Sequence, residues 1–383
     1  MALDHAIIMG GGMAGLLSAA GLAEQFEQVT IIDRDELRAE DPEALAPRRG
    51  VPQGGVVHRL LALGETTMEE LLPGLREELL AAGCQEWLRD SQDDIQEPGT
   101  LALTRPVLEG VIRRRVLALP AVTARQGAVG GLLTDDEGHR VTGVTVRGGD
   151  GGELHGDLVV DAAGRSSRAA GWVEGLGAER PRALSTRVHV AYTCQRLRLR
   201  EDALTSGLQH LVVPASEALP LTVELEPAGS GEHILSASGT SRNLPPTDLA
   251  GLRELVARLR DQRLVAALEG AEPVGDPAAA KAAGSHRLRW EEVVDAPEGL
   301  VHVGDAAAAF TPLYAQGMTM AAVGAATLRD AVRDGLRDGD LAPGFAAQYH
   351  RDLAARLDPA WDSAAARDAQ IPGAELDLEP QRR

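Results

Sequence analysis

Short apolar runs recur along this chain, and glycine or an acidic residue closes most of them. Ala6-Ile7-Ile8-Met9 is the first. It is too short for a helix and has no polar position, so it predicts a strand buried on both faces. Three glycines follow, then a mostly apolar helical stretch over residues 14–26, then Val29-Thr30-Ile31-Ile32 as a second buried strand. Strand, helix and strand in this order form a βαβ unit, which predicts a parallel sheet.

The middle of the chain changes period. Strand-like runs over residues 122–126, 127–134 and 141–147 are punctuated by Asp135-Asp136-Glu137-Gly138 and by a glycine-rich turn, and predict an antiparallel meander. Leu158-Val159-Val160 reads as another buried strand. Longer alternating runs over 188–199, 209–213, 219–226 and 232–238 predict a separate antiparallel sheet. An amphipathic helix over 249–268, preceded by Pro245-Pro246 and the cap Thr247-Asp248, should pack on that sheet. A buried strand over 300–303 then leads through a glycine-bearing turn into an Ala-rich helix over 317–336. The expected fold class is α/β. It comprises a Rossmann-like three-layer domain from residues 1–75, 98–175 and 285–350, an interleaved antiparallel-sheet substrate domain over 176–284, and a C-terminal helix and tail over 351–383. The segment past Pro372 is acidic before Arg382-Arg383 and is expected to be disordered.

Composition narrows the partners. With 383 residues, 44% of them hydrophobic, the chain can fill two cores. A net charge of -19 argues against nucleic acid and anionic membrane as partners, and leaves a small molecule. The two cysteines, Cys84 and Cys194, form neither a metal spacing nor a disulfide framework, which suits a reducing cytoplasm. No export leader or membrane-length apolar run is evident. The single lysine, Lys281, lies in what reads as an Ala-rich linker, so chemistry requiring a tuned lysine elsewhere is excluded.

The candidate chemistry starts at Gly10-Gly11-Gly12-Met13-Ala14-Gly15. Gly10 permits a tight turn, Gly12 the close approach of a pyrophosphate, and Gly15 helix-strand packing, with phosphate held at the helix N-terminus beside Met13 and Ala14. Asp33, followed by Arg34, ends the second strand where an acid can accept hydrogen bonds from a ribose. NAD and FAD satisfy this unit equally. A second segment, Val301-His302-Val303-Gly304-Asp305-Ala306 continuing through Phe310-Thr311-Pro312-Leu313-Tyr314-Ala315-Gln316-Gly317-Met318-Thr319, is more selective. Asp305 suits a polyhydroxyl chain, Pro312 stiffens the loop, and Gly317 lets amides at a helix start approach an electron-rich ring.

This segment resembles the second FAD motif of the group A flavin monooxygenases, the para-hydroxybenzoate hydroxylase-like family. The resemblance implies that Asp305, after Gly304, binds the ribityl chain and that the Gly317-Met318-Thr319 amides face the flavin pyrimidine edge. It also implies that Arg105, in Thr104-Arg105-Pro106-Val107-Leu108-Glu109, stands near pyrophosphate or flavin, and that the Val129 backbone meets adenine. The stretch from Asp157 to Arg168, with Asp161 and Gly164, resembles the family's middle motif. Ser167 and Ala170 stand at its usual serine and arginine positions and the arginine has moved to Arg168, so electrons are expected from NAD(P)H or from a separate flavin reductase partner. Arg49-Gly50-Val51-Pro52-Gln53 with His58-Arg59-Leu60-Leu61 resembles a narrower branch of bacterial natural-product flavoproteins, including polyether-type epoxidases and FAD-bearing cyclases.

Together these readings predict an FAD-dependent monooxygenase that epoxidises or hydroxylates a natural-product intermediate. Gln53 is expected at the cofactor, His58 and Tyr314 in the substrate pocket, no metal, and no assigned catalytic residue. A non-redox [4+2]-type cyclase and an FAD-dependent double-bond reductase are the alternatives. Isolated tryptophans and the placement of Lys281 speak against a tryptophan-type halogenase.

Overall fold

The computed structural model describes residues 2–39, 48, 50–86, 101–149, 151–204, 210–282 and 284–378, and for Pro52 and Gln53 the backbone alone. Its central sheet has five parallel strands in the order Leu300–His302, Leu158–Asp161, Leu3–Met9, Phe26–Asp33, Val122–Gln126. The first strand explains why its run had to be apolar throughout. Ala6 and Ile8 enter a core with Leu16, Leu17 and Leu108, while Ile7 and Met9 enter a second core with Val141, Val144 and Val146. Successive side chains alternate between faces. The helices Met13–Leu22, Arg105–Leu117, Gln316–Gly335 and Phe345–Asp368 therefore cover one face. The antiparallel strands Ala128–Thr134, Val141–Arg147 and Gly152–His155 cover the other. This is the three-layer α/β arrangement the periodicity predicts.

A second, five-stranded antiparallel sheet runs in the order Leu211–Val213, Thr222–Gly229, Glu232–Thr240, Val190–Arg198, Glu272–Ala282. One face buries Val223, Leu225, Leu235 and Ala237 under Leu252, Leu255, Leu264 and Ala267 of two short helices. Its opposite face presents Cys194, Ala228 and Ile234 to Val56 of the segment that precedes His58. A small sheet in the order Ala308–Ala309, His286–Leu288, Ala183–Arg187, Glu375–Asp377 joins the two units.

Four sequence readings need correction. Val122–Gln126 is the edge of the parallel sheet, not a meander strand; Val29 pairs with Val122, and the polar Thr123, Arg125 and Gln126 reflect an edge rather than an antiparallel face. The helix expected over 249–268 is two, Leu249–Ala257 and Gln262–Leu268, because Asp261 starts a new helix by accepting the Arg263 N–H at 2.9 Å. The linker holding Lys281 is the strand Glu272–Ala282. Its Pro273, Gly275 and Pro277 hide it from propensity, and proline is tolerated because the strand is an edge. The segment past Pro372 is ordered in part: Glu375–Asp377 pairs with Ala183–Arg187, and the Ser241 hydroxyl donates to the Pro372 carbonyl at 2.6 Å.

Candidate cofactor and substrate site

The Gly10–Gly15 turn connects the first strand to the Met13–Leu22 helix. Gly10 has φ +105°, and a Cβ there would lie 2.7 Å from the Ala162 carbonyl oxygen; a Cβ on Gly15 would lie 1.8 Å from the Gly10 carbonyl oxygen. Neither position admits a side chain. Gly12 differs, since nothing lies within 4 Å of a Cβ built there. Gly12 caps the helix without a side-chain hydrogen bond, and no acidic residue occupies the first turn. The unfilled N–H groups thus open onto free space beside Gly12, the arrangement that receives an anion. Met13 is buried, so its side chain serves the core while its amide remains at the turn.

Asp33 sits opposite. Its Oδ2 accepts the Gly11 N–H at 2.6 Å, and its Oδ1 accepts the Asp35 N–H at 2.8 Å and lies 3.3 Å from Arg48 Nη1. A carboxylate offers about four acceptor sites, so one stays open for a ribose hydroxyl. Arg34 is exposed. Arg48 also donates to the Gly11 carbonyl at 2.8 Å and to Asp35 and Glu109. Glu109 takes both Nε and Nη2 of Arg105, at 3.0 and 2.9 Å. Burial opposes ionisation of Glu109, but Arg105 and Arg48 outweigh it and hold its pKa below the usual value. Arg105 is therefore a buried, paired cation at the start of its helix. The i, i+4 spacing of Arg105 and Glu109 was visible in the sequence; the part played by Arg48 was not.

The second wall forms where two glycine turns meet. Gly164 has φ +69° and only Asp305 Cβ, at 4.0 Å, near a Cβ built on it. Gly304 has φ +58° and abuts Ala14. Arg165 links the two turns: its Nε lies 3.8 Å from Asp305 Oδ2 and its Nη2 donates to the Phe310 carbonyl at 2.8 Å. Protein surrounds Asp305 closely enough that burial raises its pKa despite Arg165 and Arg105, yet 42% of its side chain stays accessible. Asp305 is thus hemmed in by protein yet open to solvent on one side.

Pro312 and the turn it opens lead to Gly317, which also has open space at its Cβ position. The Gln316–Gly335 helix starts there with neither a side-chain cap nor an acid in its first turn. Met318 and Thr319 are buried, and Thr319 Oγ1 points at Gly64 of the Ala62–Leu71 helix. Val129 lies in the Ala128–Thr134 strand two residues past Gly127, whose N–H donates to the Asp33 carbonyl at 2.8 Å. The side chain of Gln53 lies outside the described residues. Open glycine faces, two uncapped helix starts and an accessible deep carboxylate suit an elongated ligand with a pyrophosphate, ribose hydroxyls and a polar ring, and so fit FAD.

The substrate side is tighter. His58 Nδ1 lies 2.9 Å from the Val56 carbonyl, which can only accept, so Nδ1 carries the proton and Nε2 presents a lone pair. Burial, reinforced by Arg105, lowers the His58 pKa to about 4. His58 stands beside Leu60, Leu101, Leu103 and Glu226 in a crevice too narrow for a water molecule. The Tyr314 hydroxyl donates to Asp368 at 2.7 Å, and Arg367 lies over its ring at 5.2 Å. His210, Glu224 and Glu226 bring ligand atoms within 4.8 Å of one another, but the Arg59 guanidinium bonds both carboxylates and stands where a cation would.

Asp161 is fully buried between the two walls. It accepts the Ala163 N–H at 3.0 Å and the Ser167 hydroxyl, and burial raises its pKa to about 6. Arg168 stacks over Trp172 at 5.7 Å. Behind Asp161, His302 stacks on Trp290 with ring centroids 3.5 Å apart and meets His350 through Nδ1 and Nε2 at 3.1 Å. Sequence reading passed over both histidines because each sits in an otherwise ordinary core pattern.

No protein-family model matches the chain. It is 31% identical over 383 residues to Protein Rv3254 of Mycobacterium tuberculosis, covering 94% of this chain and 78% of that protein. It is 30% identical over 178 residues to squalene monooxygenase of Mus musculus, spanning 42% of this chain and 29% of that enzyme. Among solved structures, the flavin-dependent brominase Bmp2 aligns with a TM-score of 0.70 at 16% identity, covering 97% of this chain and 88% of that one. The Diels-Alderase PyrE3 of pyrroindomycin biosynthesis aligns with a TM-score of 0.61 at 20% identity, covering 96% and 73%. The chain belongs to the family of Protein Rv3254 and has the group A flavin monooxygenase-like fold of FAD-dependent oxidoreductases.

Proposed function

We propose that this protein is an FAD-dependent monooxygenase acting on a small, largely apolar natural-product intermediate, by epoxidation or hydroxylation. The observation that carries the reading is the contact of Gly304 with Ala14, which joins two glycine turns beside open space at Gly12 and an accessible Asp305. In this reading residues 1–75, 98–175 and 285–350 hold FAD, and residues 176–284 hold the substrate. Gly10, Gly12, Met13, Ala14 and Gly15 cradle pyrophosphate, Asp33 and Arg34 flank the adenosine ribose, and the Val129 backbone lies along adenine. Gln53, Arg105, Asp161, Gly164, Gly304, Asp305 and Pro312 line the flavin end, and the Gly317-Met318-Thr319 amides face its pyrimidine edge. FAD, once reduced, supplies oxygen activation and transfer.

The chain's own part is to bind, orient and exclude water. The Arg48–Glu109–Arg105 cluster braces the groove. The apolar face around Val56, Cys194 and Ile234 keeps the substrate side dry. His58, neutral at pH 7, orients a substrate hydroxyl by accepting its proton in a hydrogen bond; with a pKa of about 4 it is a poor general base. This supports alkene epoxidation, which needs no protein base, over phenol hydroxylation.

The purified protein tests this directly. Flavin absorbance is followed anaerobically with NADH or NADPH, and with an added flavin reductase, before oxygen is admitted. Bleaching, oxygen-dependent reoxidation and a product heavier by one oxygen atom are expected. Turnover of substrate by oxidised, oxygen-free protein would overturn this reading in favour of a non-redox cyclase. One observation favours that second reading: Ser167 is spent on Asp161 and Arg168 on Trp172, which leaves neither side chain to a nicotinamide nucleotide. The same observation favours a separate reductase as electron source.

A further inference from the structure

Asp368 lies near the end of the long Phe345–Asp368 helix, some fifty residues past the last cofactor motif, and is fully buried. Its carboxylate collects four hydroxyl groups from three other segments. Tyr314 donates to Oδ1 at 2.7 Å; Thr311 at 2.8 Å, Ser285 at 3.2 Å and Thr186 donate to Oδ2. The donors are themselves ordered. The Ser285 N–H donates to Thr186 Oγ1 at 3.0 Å, and the Thr311 N–H donates to Ser285 Oγ at 2.9 Å.

Three hydroxyls crowd Oδ2 and one takes Oδ1, so four donors converge on a carboxylate that offers about four acceptor sites. No cation bonds Asp368 among the described residues; Arg367 lies over the Tyr314 ring instead. A buried charge satisfied by hydroxyls alone is costly, and neutral side chains would pack the same junction more cheaply. What the charge gains is direction. Two of its donors, Thr311 and Tyr314, bracket Pro312, and Tyr314 is followed by Ala315, held at φ +54°, and by the uncapped start of the Gln316–Gly335 helix.

We propose that Asp368 is a positioning residue for the cofactor. Through Thr311 and Tyr314 it fixes the turn that aims the Gly317-Met318-Thr319 amides, so that the C-terminal helix sets the geometry at the flavin end. This rests on the reading that those amides face FAD.

The test uses full-length apoprotein titrated with FAD, following flavin fluorescence, together with the visible spectrum and reduction potential of each holoprotein and the melting temperature of each apoprotein. Asp368→Asn removes the charge that gathers four donors. A charge-assisted hydrogen bond contributes about 1.5–3 kcal/mol, so FAD affinity should fall about 10- to 100-fold, with a shifted flavin spectrum and potential. Tyr314→Phe removes one donor and leaves the three on Oδ2; affinity should fall about fivefold, with a smaller spectral shift. Should Asp368→Asn fail to fold, Tyr314→Phe decides. Lowered apoprotein melting with unchanged FAD affinity, spectrum and potential in the folded variants would make Asp368 a purely structural tie and overturn the proposal. Gly317→Val separates the two failures. If it abolishes FAD binding while the Asp368 and Tyr314 variants do not disturb it, the cofactor reading stands and the positioning role falls; if it too binds FAD normally, the cofactor reading of the turn falls.

Discussion

A Cβ placed on Gly304 would sit 2.6 Å from the Cβ of Ala14. The two residues come from motifs 290 positions apart, the start of the first helix and the turn after the last strand of the parallel sheet, and their contact draws the two glycine turns together. Gly304→Ala meets this contact and a φ of +58° at once. Left-handed strain and overpacking each cost about 1–3 kcal/mol, so the variant should melt several degrees lower and bind FAD more weakly. Ala14→Gly in the same chain relieves the contact but not the backbone strain. The double variant should therefore recover part of the loss; equal melting of single and double variants would show that packing against Ala14 contributes nothing.

Asp305 supplies the next prediction. Its accessible carboxylate, otherwise hemmed in by protein, is poised to accept hydroxyl donors, and Arg165 and Arg105 work against the rise in its pKa caused by burial. Asp305→Asn keeps the shape and removes the charge. The apoprotein should melt within about 1 kcal/mol of the parent, while FAD affinity falls about tenfold or more, as expected for loss of charge-assisted bonds. ADP, which lacks the ribityl chain, should bind both proteins alike. An equal loss for ADP would place Asp305 at the other end of the ligand.

The cysteines give a chemical check on the fold. Burial raises Cys84 to about 11 and, with Glu226 and Glu224 acting in the same direction, Cys194 to about 12. Cys194 Sγ also accepts the Val57 N–H at 3.3 Å, beneath the segment that carries His58. Thiolates are the reactive form, so neither residue should be alkylated in native protein at pH 8, and both should be alkylated in denaturant. Intact-mass measurement distinguishes the two. A rapid modification of native protein that peptide mapping assigns to Cys194 would show that the sheet face against Val56 is open.

The parallel sheet and the glycine turns were legible because each rests on a local rule: two-faced burial demands an uninterrupted apolar run, and a turn with positive φ demands glycine. Glu272–Ala282 was hidden because an edge strand tolerates the prolines that a central strand forbids. Val122–Gln126 was assigned to the wrong sheet for a related reason, since an edge strand of a parallel sheet shows the alternation of an antiparallel one. At the candidate site, the resemblance singled out Arg105 and Asp305, whereas the partners of such side chains were not legible. Arg48 reaches Glu109 across 61 residues, and Asp368 reaches Thr186 across 182. No period or spacing encodes such pairings; they exist once the layers have closed.

The buried pair His302 and His350 predicts how stability responds to acid. Burial pushes His302 well below its ordinary value of 6.5, with His350 adding to the effect, and pushes His350 to about 3. Below pH 6.5 the unfolded chain binds protons that the folded chain refuses, so both histidines remove stability as pH falls, His350 by about 1.4 kcal/mol per unit down to about pH 3. Asp161 has the opposite sign. Its folded pKa of about 6 lies above the ordinary 3.8, so the folded state gains a proton first and is favoured as pH drops through 6. From pH 7 to 5 His350 costs about 2 kcal/mol and Asp161 returns about 1.4, while His302 acts in the same direction as His350. Other carboxylates titrate over the same range, and a falling net charge also relieves self-repulsion, so the parent alone does not isolate the effect. His350→Phe does, since it keeps an aromatic ring beside Trp290 and removes one titrating site. Urea unfolding of parent and variant at pH 7 and pH 5 should give a stability difference that shifts by about 2 kcal/mol in the variant's favour at the lower pH. A difference that stays constant between the two pH values would mean that His350 takes up its proton in the folded protein as readily as in the unfolded chain, and that the cluster behind Asp161 gains a charge on acidification.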